Sequence, residues 1–401
     1  MKFIHTADLH LDSPFRGLTD MPTTIWEKVH QSTFLAFQKI VDAAIEQQVD
    51  FVLIVGDIYD RDHHSAEAED FFIRQCQRLG KEKIPVYLSY GNHDYQTVSS
   101  QSEAFPENVH VFGNQVETSQ FTTRDGQIVA ITGFSYQKRW LPENQVTAFP
   151  EKGNVDWQIG MLHGAIRQND VNQDHYAPFT LDELQAKNYD YWALGHIHKH
   201  QLLNEMPPVV YPGDPQGRHK NEDGQHGYYL VQSHEHQLVP QFNAVAPIEW
   251  HTIPVSIDEQ LTNDLLLEKL LELGEKTTSF NMVAFDLQGT AEIDSLTKQL
   301  ISNGSILERL QDKLITNGTP NWWPYQINLQ DKLALPKMTD LDQDYWDQSA
   351  KETFNRDDVV ELAGKLTKYD FIAERLQDPD FITELRQAAT RQLEEGDDNE
   401  D

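Results

Sequence analysis

"FVLIVGDIYD", residues 51–60, runs five apolar residues straight into a glycine and two carboxylates. Phe51 to Val55 show no alternation of polar and apolar positions, the pattern of a strand covered on both faces. Such a strand belongs to an α/β fold, where ligands gather at the carboxyl ends of the strands. Gly56, Asp57 and Asp60 stand at that end. The arrangement recurs along the chain. "FIHTADLH" (3–10) leads into Asp8 and His10. "IPVYLSYGNHD" (84–94) leads into Gly91, Asn92, His93 and Asp94. "GMLHG" (160–164) ends on His163, and "YWALGHIH" (191–198) on His196 and His198.

Taken singly, each cluster has an ordinary reading. Gly-Asn, Gly-Asp and Gly-His are common turn residues, and a lone histidine is more often a satisfied core residue than a ligand. Five clusters at five strand ends, with complementary donor types, are a different matter. On a strand, a two-residue spacing points Asp8 and His10 to the same face. Carboxylates, imidazoles and one amide oxygen, with no thiolate, form a donor set for Mn²⁺ or Fe²⁺ ahead of Zn²⁺.

Composition narrows the class. The 401 residues are 39% hydrophobic and 24% charged. Nothing approaches the ~18 apolar residues of a membrane span, and the N-terminus turns polar too early for a signal peptide; a cytoplasmic protein is expected. The single cysteine, Cys76, excludes an internal disulfide framework. A net charge of −32 argues against binding a polyanion over the whole surface. Sixteen of the 17 histidines precede residue 246, which places the chemistry in that part.

Up to about residue 245 the pattern is α/β. Strands are expected at 3–6, 51–55, 86–88, 109–112, 128–134, 157–162, 191–194, 209–211 and 227–232, and helices at 23–48 and 65–80. A smaller α/β cap follows, with strands at 252–257, 281–287 and 325–329 and helices at 259–275 and 293–315. Beyond about 340 the pattern is helical, including 356–368 and 379–394. Residues 394–401 hold six acids and read as a solvated tail. The expected divisions are 1–245, 246–335, 336–393 and 394–401.

The ordered set D-x-H, G-D-x-x-D, G-N-H-D, a lone H and G-H-x-H resembles the calcineurin-like metallophosphoesterases. Phe3 to His10 and the G-H-x-H resemble the SbcD and Mre11 DNA repair nucleases within them. "LDSPF" (11–15) and "YPGDPQGRH" (211–219) are similar to the bacterial YhaO branch. The resemblance covers residues 1–235. It implies a four-layer α/β/β/α sandwich with the cap and a helical C-terminal region appended.

The resemblance also implies roles. Asp8, His10, Asp57 and His198 would hold one divalent ion, and Asp57, Asn92, His163 and His196 a second. Mn²⁺ is the first expectation, with Fe²⁺ and Zn²⁺ as alternatives. His93 would protonate the leaving oxygen, with Asp94 orienting its ring. Arg16, Asp60, Arg61, Arg218 and His219 are candidate substrate contacts. Mre11-type nucleases often carry histidine at the position of Asp60, and glycine at that of Asp12. The implied activity is a two-metal DNA exonuclease or endonuclease in repair or end processing; the alternative is a small-molecule phosphodiesterase or phosphatase. Implied partners are DNA, a coiled-coil SMC/Rad50-like ATPase docking after about residue 340, and a second copy paired through helices near 65–80 and 96–105. No membrane partner is expected, and action on DNA would place the protein at the bacterial nucleoid.

Overall fold

The computed structural model of the protein describes residues 1–13, 15, 21–60, 65–95, 105–167, 175–258, 261–274, 280–289, 293–316, 318, 320–330, 355–364, 372, 376, 381–382 and 385–386. The chain divides into two compact units, Met1–Gln330 and Asp331–Asp401.

Two six-stranded sheets dominate the first unit. One contains β1 (Lys2–Thr6), β2 (Phe51–Val55), β3 (Val86–Ser89) and β4 (Val109–Val111). The other contains β5 (Glu117–Thr122), β6 (Ile128–Gly133), β7 (Trp157–His163), β8 (Tyr191–Gly195), β9 (Gln201–Glu205) and β10 (Pro208–Tyr211). The chain then returns to the first sheet as β11 (Gly227–His234) and β12 (Gln237–Ala244), giving the orders β12-β11-β1-β2-β3-β4 and β5-β6-β7-β8-β10-β9. Strands β1 to β4 are parallel, as are β6, β7, β8 and β10.

Alternation along β2 shows why its sequence is apolar throughout. Phe51, Leu53 and Val55 point between the sheets, with Phe3, Ile159 and Tyr191. Val52 and Ile54 point outward onto helices α2 (Ser32–Glu46) and α3 (Ala66–Lys81), with Phe37, Ile40 and Phe72. The outer face of the second sheet packs Phe134, Phe149, Trp192 and Tyr211 beneath α4 (Leu181–Gln185), which opens on a Thr180–Glu183 capping box. The result is the expected α/β/β/α sandwich.

The helix expected over 23–48 is two helices, α1 (Thr23–His30) and α2, separated at Gln31. Beyond β12 come β13 (Ile248–Ser256), α5 (Asn263–Gly274), β14 (Phe280–Gln288), α6 (Ser295–Ser302), α7 (Ser305–Thr316) and β15 (Trp322–Gln330). The helix expected over 293–315 breaks at Gly304, whose φ of 83° is left-handed. Strands β13, β14 and β15 are parallel neighbours. Val283, Phe285 and Trp322 face the helices; Trp250, Met282 and Trp323 face Ile25 and Val29 of α1. In the second unit the described helix is α8 (Arg356–Ala363). The homodimer segment expected at 96–105 and the tail at 394–401 lie outside the described residues, apart from Phe105.

One buried histidine makes a stability prediction. His5 lies in β1 between the sheets, with Nδ1 3.0 Å from the Tyr191 hydroxyl and Nε2 3.0 Å from the Leu194 carbonyl. Burial drives its pKa down to about 3, against a partial rise from the Leu194 bond. The unfolded chain takes up this proton near pH 6.5 and the folded chain does not. Stability is therefore intact above pH 6.5 and falls as pH drops toward 3, by about 2 kcal/mol at pH 5. Urea melts of the wild type and His5→Gln between pH 7 and 5 measure it: the variant should show a shallower loss. Parallel slopes would contradict the assignment.

Candidate metal centre

The expected ligands converge at the carboxyl ends of β1, β2, β3, β7 and β8. Strand alternation is not what aims Asp8 and His10, because β1 ends at Thr6. Asp8, His10, Asp57 and His196 instead adopt left-handed backbone, with φ of 52°, 43°, 52° and 101°. Each such non-glycine residue costs roughly 1–3 kcal/mol and persists only where its surroundings hold it. Here the Asp8 N–H donates to the Gly56 carbonyl and the His10 N–H to the Asp57 carbonyl, both at 3.0 Å. The His196 N–H donates to the Asp8 carboxylate at 3.1 Å.

Two glycines are required by this approach. A Cβ on Gly56 (φ 82°) would overlap the His163 ring, and one on Gly91 would overlap the Asp57 carboxylate.

The centre is crowded with acceptors. His163 Nδ1 donates to the Val55 carbonyl at 3.0 Å, so its Nε2 presents a lone pair when the ring is neutral. That Nε2 lies 2.9 Å from Asn92 Oδ1 and 3.4 Å from Asp57 Oδ2. His196 Nδ1 lies 3.0 Å from the same Asn92 oxygen. On the other side, candidate ligand atoms of Asp8, His10 and His198 lie within 4.8 Å of one another, as do those of Asp8, Asp57 and His163. His10 Nε2 is buried with no hydrogen-bond partner among the described residues, and stands 3.9 Å from Asp57 Oδ2.

Lone pairs gathered this way need positive charge. Without a cation, burial pushes the His163 pKa down, but the Asp57 and Asp8 charges outweigh it and hold it up at about 9. Burial, against the opposing His163 and His198 charges, lifts the Asp8 pKa to about 6. The residues fit two adjacent divalent ions, with Asp57 placed to serve both.

Around the centre, the environment of His93 differs from expectation. Asp94 accepts from the backbone N–H groups of Gly91 and Ile58, both at 2.7 Å. It shapes the loop, and burial, then Asp57's charge, push its pKa up to about 7. The carboxylate at the His93 ring is Asp60, whose Oδ1 lies 2.8 Å from His93 Nδ1 and 3.0 Å from His10 Nδ1. Although burial opposes it, His10 and His93 hold the Asp60 pKa well below the usual carboxylate range. The His93 backbone N–H donates to Asp57 Oδ1 at 2.9 Å.

Arg218 is engaged within the protein. Its Nη1 donates to Ser13 Oγ at 2.9 Å and lies 3.4 Å from Asp60 Oδ2. Its backbone N–H donates to Glu222 Oε2 at 2.6 Å. Ser13 also bonds Asp60. His219 is more open, with Nε2 3.2 Å from Glu222 Oε1. Arg16 and Arg61 lie outside the described residues.

Glu222, Asp214 and His226 are the residues that sequence reasoning missed. Glu222 Oε1 lies 2.6 Å from His198 Nδ1, leaving Nε2 for a metal. His226 bonds Asp214 on one side and the Glu222 carbonyl on the other, at 3.0 Å. Strand β13 braces this loop: Trp250 Nε1 donates to the Gly217 carbonyl at 2.9 Å, and Gln216 exchanges hydrogen bonds with Ile248. No spacing flags Glu222, since its partner lies 24 residues upstream; the available signal was acid inside a Gly/Pro-rich loop. Glu222→Gln should weaken Mn²⁺ binding roughly 10–100-fold. Isothermal titration calorimetry reads this directly, and an unchanged affinity would remove Glu222 from the support of His198.

This fold and centre define a metal-dependent hydrolase of phosphoester bonds. The chain belongs to the calcineurin-like phosphoesterases, whose sequence model matches residues 1–200, and the family uses a dinuclear metal centre. Within it, the chain is 38% identical over 318 residues to the "Uncharacterized metallophosphoesterase YhaO" of Bacillus subtilis, spanning 78% of each protein. It is 26% identical over 232 residues to the DNA double-strand break repair protein Mre11 of Thermoplasma acidophilum, covering 55% of this chain and 57% of that one. It is 22% identical over 294 residues to a component of the SbcCD nuclease of Staphylococcus saprophyticus, covering 67% and 74%. No helix among the described residues is long and apolar enough to cross a membrane.

Proposed function

We propose that the protein is a Mn²⁺-dependent DNA nuclease. The observation that carries phosphodiester hydrolysis is the convergence of Asp57, Asn92, His163 and His196 acceptor atoms beside the His93–Asp60 pair. Bound ions would supply Lewis-acid stabilisation of the phosphate charge and activation of water. Asp8, His10, Asp57 and His198 would hold one, and Asp57, Asn92, His163 and His196 the other. His93 is the general acid. Asp60 occupies its Nδ1, which leaves Nε2 to deliver the proton to the departing oxygen. The backbone bond from His93 to Asp57 keeps the acid in register with the carboxylate that would serve both ions.

DNA as substrate is supported by the Mre11 and SbcCD relatives, whose names describe repair and nuclease function. In this reading residues 1–245 would form the hydrolase part and 246–335 its cap. Residues 336–393 would dock a coiled-coil SMC/Rad50-like ATPase, and two copies would pair, all in the cytoplasm at the nucleoid. A net charge of −32 makes a partner that shares DNA binding useful. The same charge favours the second reading, a small phosphodiester as substrate.

The deciding experiment incubates pure protein and Mn²⁺ with labelled single- and double-stranded DNA and, in parallel, with bis-p-nitrophenyl phosphate. The nuclease reading expects cleavage of both substrate types. Turnover of the small ester with DNA left intact would select the second reading.

A further inference from the structure

Exposed tryptophan occurs at two places among the described residues, Trp26 and Trp140. Trp26 already stacks on His30, with ring centroids 4.8 Å apart and planes 13° from parallel. Trp140 is 56% exposed, and the ring beside it among the described residues is that of His175, with centroids 6.5 Å apart and planes tilted by 39°. It sits in the stretch Lys138-Arg139-Trp140, basic residues beside an aromatic one in a strongly acidic chain.

The position of this loop is fixed from the metal centre outward. His163 leads through Gly164 to Ala165, whose N–H donates to the Tyr176 carbonyl at 2.9 Å. The Leu141 N–H donates to the His175 carbonyl at 2.7 Å, and the Ala177 N–H to the Leu141 carbonyl at 2.6 Å, forming a parallel bridge between Leu141 and Tyr176. Across a bridge, neighbouring side chains point to opposite sides. Leu141 and Tyr176 turn inward: Leu141 packs on the core, and the Tyr176 ring lies 4.4 Å from that of His196. Trp140 and His175 turn outward. The exposed pair is thus one residue removed from a ring that contacts a metal-ligand candidate.

We propose that Trp140, with His175 at its edge, is a stacking platform for an unpaired nucleobase flanking the phosphodiester held at the metal centre. This rests on the nuclease reading and narrows it to substrates with a single-stranded segment at the site. An indole face accepts any base, so the platform holds the strand without reading its sequence. Lys138 is exposed and its ion pair with Glu143 is long, at 3.8 Å; in an exposed pair of this kind the lysine can exchange its partner for a phosphate at little cost.

The test compares wild type, Trp140→Phe and Trp140→Ala on single-stranded thymidine oligonucleotides and on bis-p-nitrophenyl phosphate, with Mn²⁺. The ratio of DNA to small-ester kcat/KM should fall roughly 5- to 150-fold in Trp140→Ala, through KM, and be largely kept in Trp140→Phe. Oligonucleotide should also quench more fluorescence in wild type than in Trp140→Phe. A wild type that cleaves DNA, with the ratio unchanged in Trp140→Ala, overturns the platform alone and points to a protein partner for this loop. Equal loss on both substrates also overturns it, as a structural effect. A wild type that hydrolyses only the small ester overturns the nuclease reading and the platform together.

Discussion

Asp57→Asn should yield a folded protein with no measurable metal-dependent phosphodiesterase activity, a deeper loss than at any other position. Asp57 reaches toward both halves of the centre, 3.4 Å from His163 Nε2 and 3.9 Å from His10 Nε2. It also accepts the His93 backbone N–H. An amide keeps the shape but removes the charge that two cations would share. The fold itself gives an independent readout. At a Mn²⁺ concentration 100 times Kd, each bound ion stabilises the wild type by about 2.7 kcal/mol. For a unit as large as Met1–Gln330 that raises Tm by roughly 4 °C per ion. Thermal melts with and without Mn²⁺ should show that shift in the wild type and lose most of it in Asp57→Asn. A full shift in the variant would mean that the ions are held elsewhere.

The second large effect is at His93. His93→Gln should lower DNA cleavage roughly 10²–10⁴-fold, the range of general acid–base catalysis, while Mn²⁺ binding is retained. The loss should shrink on bis-p-nitrophenyl phosphate, because p-nitrophenolate leaves without help from an acid. Asp60→Asn should follow the same substrate pattern more weakly, because Asp60 holds His93 Nδ1. Asp94→Asn should act through stability instead, since both Asp94 oxygens are taken by backbone N–H groups. Loss of Mn²⁺ binding in His93→Gln would move the ring into the ligand shell and leave the leaving group without its acid.

What could be read in the sequence follows from which residues are covered on two sides. β2, β3, β7 and β8 lie inside their sheets, their sequences are mostly apolar, and each leads into a ligand candidate. The strands that went unread are β5, β9 and β12, and each is a sheet edge. Their sequences, ETSQFT, QLLNE and QLVPQFNA, mix polar and apolar residues, with a proline in the last. Edge strands face water and carry no apolar run to find. The split at Gln31 was hidden for another reason: no glycine or proline marks it, and the apolar face continues across it. Gly304 did carry a mark for the second split.

At the metal centre, residue types and order were legible because chemistry restricts them tightly. Geometry was less so. Asp8 and His10 are aimed by left-handed backbone held by Gly56 and Asp57, a contact between segments about 48 residues apart that no local spacing encodes. The partner of His93 was misassigned for the same reason. Asp94 is adjacent in sequence but faces backbone, whereas Asp60 arrives from the end of β2 and lies at the ring. Glu222 supports His198 from a loop whose Gln216–Gly217 segment is pinned by strand β13, far along the chain.

The proposed chemistry turns on Asp57 serving two divalent ions at once. Anomalous diffraction from crystals grown with Mn²⁺ tests it most directly. Two Mn²⁺ peaks are expected, one among Asp8, His10 and His198 and the other among Asn92, His163 and His196, both in contact with Asp57. A single peak, or two peaks of which one does not touch Asp57, would contradict it.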